Sequence, residues 1–213
     1  VDRIKAVLPH HREPVVFVKA GVSDMYSSVL VDNAAAMEEV VEHLVSIGRT
    51  RIAHISGPAS WHEAHDRRVG WQRVLERHGL DGGASFCEEG DWSPAGGVAA
   101  MHALLDRIPD LDAVVAGNDR MALGAMHALR ARGLRIPDDV AVTGFDDIDE
   151  AAWLSPPLTS VAQPLAEMGR QAVRRVRSEF DGAEPAPVAI TLRAELMIRE
   201  STVGPAAAPG HRS

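Results

Sequence analysis

DAVVAGNDRMALGAMHALRARGLRIPDDVAVTGFDDID, residues Asp112–Asp149, reads as one complete strand–helix–strand unit. The short apolar run after Asp112 does not alternate, so it suits a strand covered on both faces. Asn118 or Asp119 follows as a helix N-cap, and Ala122, Ala125, Met126 and Leu129 recur at helical spacing before Gly133 stops the helix. The next strand lies in DVAVTGF and ends in an acidic loop, Asp146 to Glu150. Two strands joined through a helix in this way lie parallel in one sheet.

Upstream, the unit repeats. RIAHIS, Arg51 to Ser56, is a strand; Gly57-Pro58 is a turn; Glu63 to His78 is a helix turning Val74, Leu75 and His78 inward, closed by Gly79. A strand is expected from Ala84 to Cys87, with Cys87 in the core, followed by a Gly-Asp-Trp loop. Ser93 is placed to cap the next helix with Pro94 at its first position, and Val98, Met101 and Leu105 keep its period. Nearer the N-terminus, VVFVK (Val15–Lys19) and Val29–Val31 are strands, and Ala34 to Ile47 is a helix with Met37, Val40, Val41 and Leu44 on one face.

Downstream, LSPPLTSV has two adjacent prolines and is an extended connection. A helix runs from Leu165 to Phe180 with Met168, Ala172 and Val176 on its inner face and Arg170, Arg174, Arg175 and Arg177 outward. ITLRAEL and MIRES are expected as late strands, and GPAAAPGHRS as a frayed tail. Alternation this regular predicts an α/β fold with parallel sheets flanked by helices.

Composition narrows the function classes. The chain has 213 residues, 46% hydrophobic and 24% charged, enough for one or two domains with ordinary cores. Its single cysteine, Cys87, excludes an internal disulfide framework and a zinc site built on paired thiolates. A net charge of −8 disfavours a face that grips nucleic acid. No apolar run is long enough to cross a bilayer, and VDRIKAVLPHHREP is not patterned as a signal peptide, so the expected location is cytoplasmic.

Ligands of open parallel sheets sit beyond the carboxyl ends of the strands. There the sequence places Lys19, Asp32, Asn33, Ser56 to Trp61, Asp91, Trp92, Asn118, Asp119, Asp146 and Asp147. Carboxylates, an amide and indoles suit a polyol, whose hydroxyls need donors and acceptors while its C–H face is covered by an aromatic plane. Each has a plainer reading as well: Asn118 or Asp119 as a cap, Trp92 as a loop plug, Asp146-Asp147 as an acidic turn. Arg67 and Arg68 open a helix, where the macrodipole disfavours a cation, so such an arginine needs another partner. No GxGxxG, GxxxxGK[ST] or GxSxG occurs, so neither an enzyme nor a cofactor is expected. His62 and His65, with Glu63 and Asp66, are the best metal candidates, but they lack HExxH spacing and no metal is expected.

VDNAAAMEEVVEHLVSIGRTRIAHISGP, GDWS, the Asp112–Asp149 stretch, LSPPLTSVAQPLAEMGRQAV and AELMIREST together resemble the effector-binding core of the lactose-repressor (LacI/GalR) family of transcriptional regulators. The resemblance implies a periplasmic-binding-protein-like fold of two lobes holding a small effector in the cleft. Residues 1–29 and 162–190 would form a partial N-terminal lobe, 30–161 and 191–203 the C-terminal lobe, and 204–213 a flexible tail. The family's cleft arginine corresponds to Arg67, ahead of Gly70-Trp71, its amide to Asn118 and its aspartate to Asp146. Trp92 matches a tryptophan that stacks on sugar, which favours a saccharide, and Leu165 stands where a relative has an aromatic. Lys19 departs from the usual acid, implying an anionic ligand or a pairing with an acid such as Asp24.

Dimer contacts would include Leu123, Met126, Trp153 and Leu154. The family's helix-turn-helix head and first βα units do not precede Val1, so the N-terminal lobe is expected to be incomplete. The expected partners are a saccharide effector, a second copy, and operator DNA only through an upstream domain, with no membrane. The rival readings are a stand-alone sugar-binding protein and a metal-assisted enzyme using His62 and His65.

Overall fold

A computed structural model describes residues 14–19, 26–182 and 187–204 of the chain. Asp24 and the tail beyond Gly204 lie outside the described residues. In chain order the elements are β1 (Val16–Val18), β2 (Ser27–Val31), α1 (Asn33–Ser46), β3 (Ile52–Ser56), α2 (His62–Arg77), β4 (Cys87–Glu89) and α3 (Pro94–Arg107). They continue with β5 (Ala113–Ala116), α4 (Asp119–Ala131), β6 (Ala141–Thr143), β7 (Ser160–Ala162), α5 (Leu165–Phe180), β8 (Ala189–Leu192), β9 (Glu195–Met197) and α6 (Glu200–Val203). The fold is α/β with parallel sheets flanked by helices, as the alternation predicts.

The chain divides into two compact units, residues 1–32 with 163–194 and residues 33–162 with 195–213. In the first, the parallel sheet has the order β1-β2-β8, and Val29, Val31 and Met168 of α5 form its buried core. The bounds of α5 are those its apolar period predicts.

In the second unit a four-stranded parallel sheet has the order β4-β3-β5-β6, while β7 and β9 form an antiparallel pair. Every residue of β3, β5 and β6 is buried, as expected for strands covered on both faces. The helices pack as pairs, α1 with α2 and α3 with α4. Gly48 and Gly133, beyond the ends of α1 and α4, have φ of 88° and 73°, the left-handed conformation that terminates a helix with little strain.

Five details differ from the sequence reading. Arg175 of α5, expected outward, turns in, its Nε donating to Ser27 Oγ on β2 at 2.9 Å. Ala84–Phe86 is a 3-10 turn, and the strand begins only at Cys87. Because β4 is the sheet's edge, Cys87 is half-buried rather than in the core, though burial still raises its thiol pKa. His78 lies past the end of α2 and turns outward, its Nε2 lying 2.9 Å from a Glu42 carboxylate oxygen on α1. MIRES is divided between the end of β9 and the short helix α6, because Glu200–Val203 closes into a turn after Arg199.

His54 on β3 has no exposed surface; its ring stacks on Trp71 of α2 at 5.6 Å, and Nδ1 donates to the Val115 carbonyl at 2.8 Å. Burial lowers its pKa from 6.5 to about 4, so it is neutral at pH 7. The unfolded chain takes up this proton first as pH falls, so the stabilisation is complete above pH 6.5 and is lost as pH falls towards about 4. At about 1.4 kcal/mol per pH unit, that interval is worth about 3 kcal/mol. Urea unfolding at pH 7.0 and pH 4.5 should show a larger loss in the wild type than in His54→Leu. Equal losses would mean that His54 is not held neutral.

Candidate functional site

Parallel strands send their carboxyl ends to one edge, so the loops after β3, β4, β5 and β6 meet there. Arg67, on the first half of α2, is only 4% exposed. Its Nε donates to Asn33 Oδ1 at 2.9 Å and its Nη1 to the Gly117 carbonyl at 2.5 Å. The guanidinium carbon lies 3.7 Å from the Phe145 ring centroid and 5.8 Å from that of Trp92. These are the partners that an arginine near a helix start requires. Burial pulls its pKa down to about 10 while Asp146, Glu63, Asp119 and Asp66 draw it back, so it remains a cation at neutral pH.

Asn118 is 7% exposed, and both ends of its amide are engaged. Oδ1 accepts from the Met121 N–H at 2.8 Å, capping α4, and Nδ2 donates to the Trp92 carbonyl at 3.1 Å. Trp92 has a left-handed φ of 68° and lies against Gly57: a Cβ there would come within 2.0 Å of its Cη2 and Cζ2. Its Nε1 is buried without a hydrogen bond to the described residues. Trp61, 52% exposed at the N-cap of α2, meets Trp92 edge to face at 5.9 Å.

The loop after β6 carries Asp146 and Asp147, both with positive φ, 121° and 52°. Asp146 follows Phe145 directly, and its charge is the first of those sustaining the Arg67 cation. Asp147 Oδ1 accepts from Arg199 Nη1 at 2.7 Å.

The second unit thus brings Trp61, Arg67, Trp92, Asn118 and Asp146 into one neighbourhood: two indoles, a buried cation, an amide and a half-buried carboxylate. Lys19 and Leu165 belong to the first unit, where both are exposed, Lys19 with a φ of 66°. Of the interface candidates, Trp153 is 88% and Leu123 40% exposed, Leu154 is half-buried, and Met126 is buried in the core of α4 with none of its surface free. Among the described residues no cluster of three or more His, Cys, Asp or Glu is arranged to hold a metal, His62 and His65 included. No helix among the described residues is long and apolar enough to cross a membrane.

A recess of about 60 Å³ beside Gly57, bordered by Ser56, His65, Arg68 and Glu89, shares no lining residue with the Arg67–Asn118–Asp146 group. Ligand sites for small organic molecules run to about 300 Å³ or more, so it is too small for a sugar ring. Sequence reasoning missed Phe145 beneath the guanidinium and the Ser160 and Arg199 contacts to the acidic loop. Phe145, inside GFDD, was visible as an apolar residue, but nothing local marks Ser160 or Arg199.

Residues 41–202 match the model of the periplasmic binding protein-like domain. The chain is 37% identical to the HTH-type transcriptional regulator CelR of Thermobifida fusca, over 94% of this chain and 63% of that protein. A solved CelR–cellobiose complex matches with a TM-score of 0.85 at 34% identity, covering 94% of this chain and 69% of that one. The lac repressor dimer bound to operator and the anti-inducer ONPF matches with a TM-score of 0.83 at 31% identity, covering 94% and 60%. The chain therefore spans between about half and three-fifths of the length of the curated relatives it matches. On its sequence and its fold alike, the chain belongs to the LacI/GalR family, as a periplasmic-binding-protein-like effector-binding domain.

Proposed function

We propose that this chain is the saccharide-sensing core of a LacI/GalR-type transcriptional regulator, with Trp61, Arg67, Trp92, Asn118 and Asp146 as its effector contacts. The observation that carries this reading is the juxtaposition of the Trp92 indole, the Arg67 cation and the Asp146 carboxylate at one strand-end edge. An indole covers the C–H face of a pyranose, while the charged groups make strong hydrogen bonds to its hydroxyls. The cellobiose bound in the CelR structure supports a neutral disaccharide as the first candidate, and the exposed Trp61 beside Trp92 offers a second ring to stack on.

The proposal extends to Lys19 and Leu165 as effector contacts, to a homodimer formed through Leu123, Trp153 and Leu154, and to operator DNA bound by another part of the regulator. Ligand binding changes DNA affinity only to the extent that the DNA-competent and incompetent states differ in affinity for the sugar.

Calorimetry with cellobiose, maltose, glucose and glucuronate tests the reading. A neutral disaccharide should bind, and Asp146→Ala should weaken it about 30-fold, equivalent to about 2 kcal/mol for a lost charge-assisted hydrogen bond. Trp92→Ala should weaken it about tenfold. Full affinity in both variants would remove these residues from the site, and binding of glucuronate alone would make the effector an acid paired with a cation.

A further inference from the structure

Asp119 is the one carboxylate buried among the described residues, at 1% exposure, and the saccharide reading gives it no ligand to touch. Nor does the start of α4 require it, because Asn118 already caps that helix. Its hydrogen bonds run instead to the loop after β6. The Asp119 N–H donates to the Phe145 carbonyl at 2.9 Å, and Oδ2 accepts from the Ile148 N–H at 2.8 Å. Oδ1 accepts from Ser160 Oγ at 2.5 Å, and that hydroxyl in turn accepts from the Asp147 N–H at 3.1 Å.

The carboxylate is also pressed against the loop backbone, since a Cβ on Gly144 would lie 2.1 Å from Oδ1. The Asp119 backbone thus holds the segment at Phe145, while its carboxylate and the Ser160 hydroxyl hold it at Asp147 and Ile148. Between those points stand two non-glycine residues in positive φ, Asp146 and Asp147, a conformation that persists only where the surroundings over-determine it. Arg199 holds the far side, donating from Nη1 both to Asp147 Oδ1 and to the Leu158 carbonyl, each at 2.7 Å.

We infer that Asp119 is a positioning residue: through Ser160 and the Ile148 amide it fixes the strained Asp146–Asp147 turn and so sets the direction in which Asp146 presents its carboxylate. The link to Asp146 as a ligand contact rests on the saccharide reading; the clamp on the turn does not. The charged groups acting on Asp119 are Asp146 and Asp147 from the loop and Arg67 from α2. Burial, reinforced by the two loop acids, raises its pKa from 3.8 to about 6, and the Ser160 hydrogen bond works in the opposite direction.

The test uses the whole chain, with amide NMR between pH 4.5 and 8 and no ligand present. The Asp147 and Ile148 amides should titrate together with a midpoint near 6 in the wild type. The midpoint should rise in Ser160→Ala, which loses the bond favouring the anion, and the titration should vanish in Asp119→Asn. Calorimetry with cellobiose supplies the second arm: Asp119→Asn should weaken binding at least tenfold, Ser160→Ala less, and Asp119→Glu should not restore it. Asp147 and Ile148 amides indifferent to Asp119→Asn would overturn the clamp. Unchanged cellobiose affinity in that variant would overturn its hold on the ligand group. If the wild type binds no cellobiose, the saccharide candidate falls while the amide titration still decides the clamp.

Discussion

Arg67→Met should reduce saccharide affinity at least 100-fold and destabilise the fold by about 3 kcal/mol. The methionine stem replaces most of the buried volume but none of the donors. Asn33 Oδ1 and the Gly117 carbonyl each lose a partner in a place that water reaches poorly, which costs about 1–3 kcal/mol apiece. The cation over Phe145 goes as well, and with it the positive charge facing Asp146. Because Arg67 joins α1, the turn after β5 and the Phe145 loop, its loss releases three pieces of the site at once. Arg67→Lys should recover little, since an ammonium cannot bond Asn33 and Gly117 in one plane while stacking on a ring. Calorimetry with the best saccharide and urea unfolding measure the two effects. An Arg67→Met protein that binds normally would leave the arginine a structural role only.

Gly124→Ala should be more damaging to stability, by about 3 kcal/mol or more, and should weaken binding although Gly124 touches no ligand. On α4, a Cβ at Gly124 would stand 2.0 Å from the Pro94 carbonyl oxygen and 2.8 Å from the Val98 nitrogen of α3. Reciprocally, a Cβ at Gly97 of α3 would stand 2.2 Å from the Met121 carbonyl oxygen of α4. The two helices thus touch backbone to backbone, and no side chain can swing aside to make room. Glycine within a helix costs about 0.5–1 kcal/mol relative to alanine, so its presence in both helices reflects this close approach. The consequence reaches the site because α3 starts two residues after Trp92 and α4 starts one residue after Asn118. Separating the helices stretches the 3.1 Å bond between Asn118 Nδ2 and the Trp92 carbonyl. Thermal unfolding and saccharide titration of Gly124→Ala should decline together. A variant with full stability would show that the helices have slack.

Much of this architecture is legible in the chain because its signals are local. The period of Met168 and Ala172, the Ser93-Pro94 start and the Gly48 and Gly133 stops each act within one turn of helix, and the structure keeps them. Where a distant partner decides, the sequence is silent. His78 looks like one more inward position until Glu42, on another helix, draws it out. Cys87 looks buried until β4 turns out to be an edge. The strand-end rule leads to Trp92, Asn118 and Asp146, which follow β4, β5 and β6, but the Arg67 bond to Gly117, fifty residues away, leaves no trace in spacing. The left-handed backbone at Trp92, Asp146 and Asp147 is equally hidden, since none is a glycine.

The four indole N–H groups offer the most direct measurement, because they occupy four distinct environments in a ¹⁵N spectrum. Trp71 is buried and bonded to the Ile52 carbonyl, Trp153 is 88% exposed, and Trp61 and Trp92 meet at the strand-end edge. Titration with the disaccharide that calorimetry shows to bind should shift the Trp92 and Trp61 signals and leave Trp71 and Trp153 in place. Saturable binding that leaves Trp92 unmoved, or that moves Trp153 alone, would put the sugar elsewhere on the molecule and contradict the account.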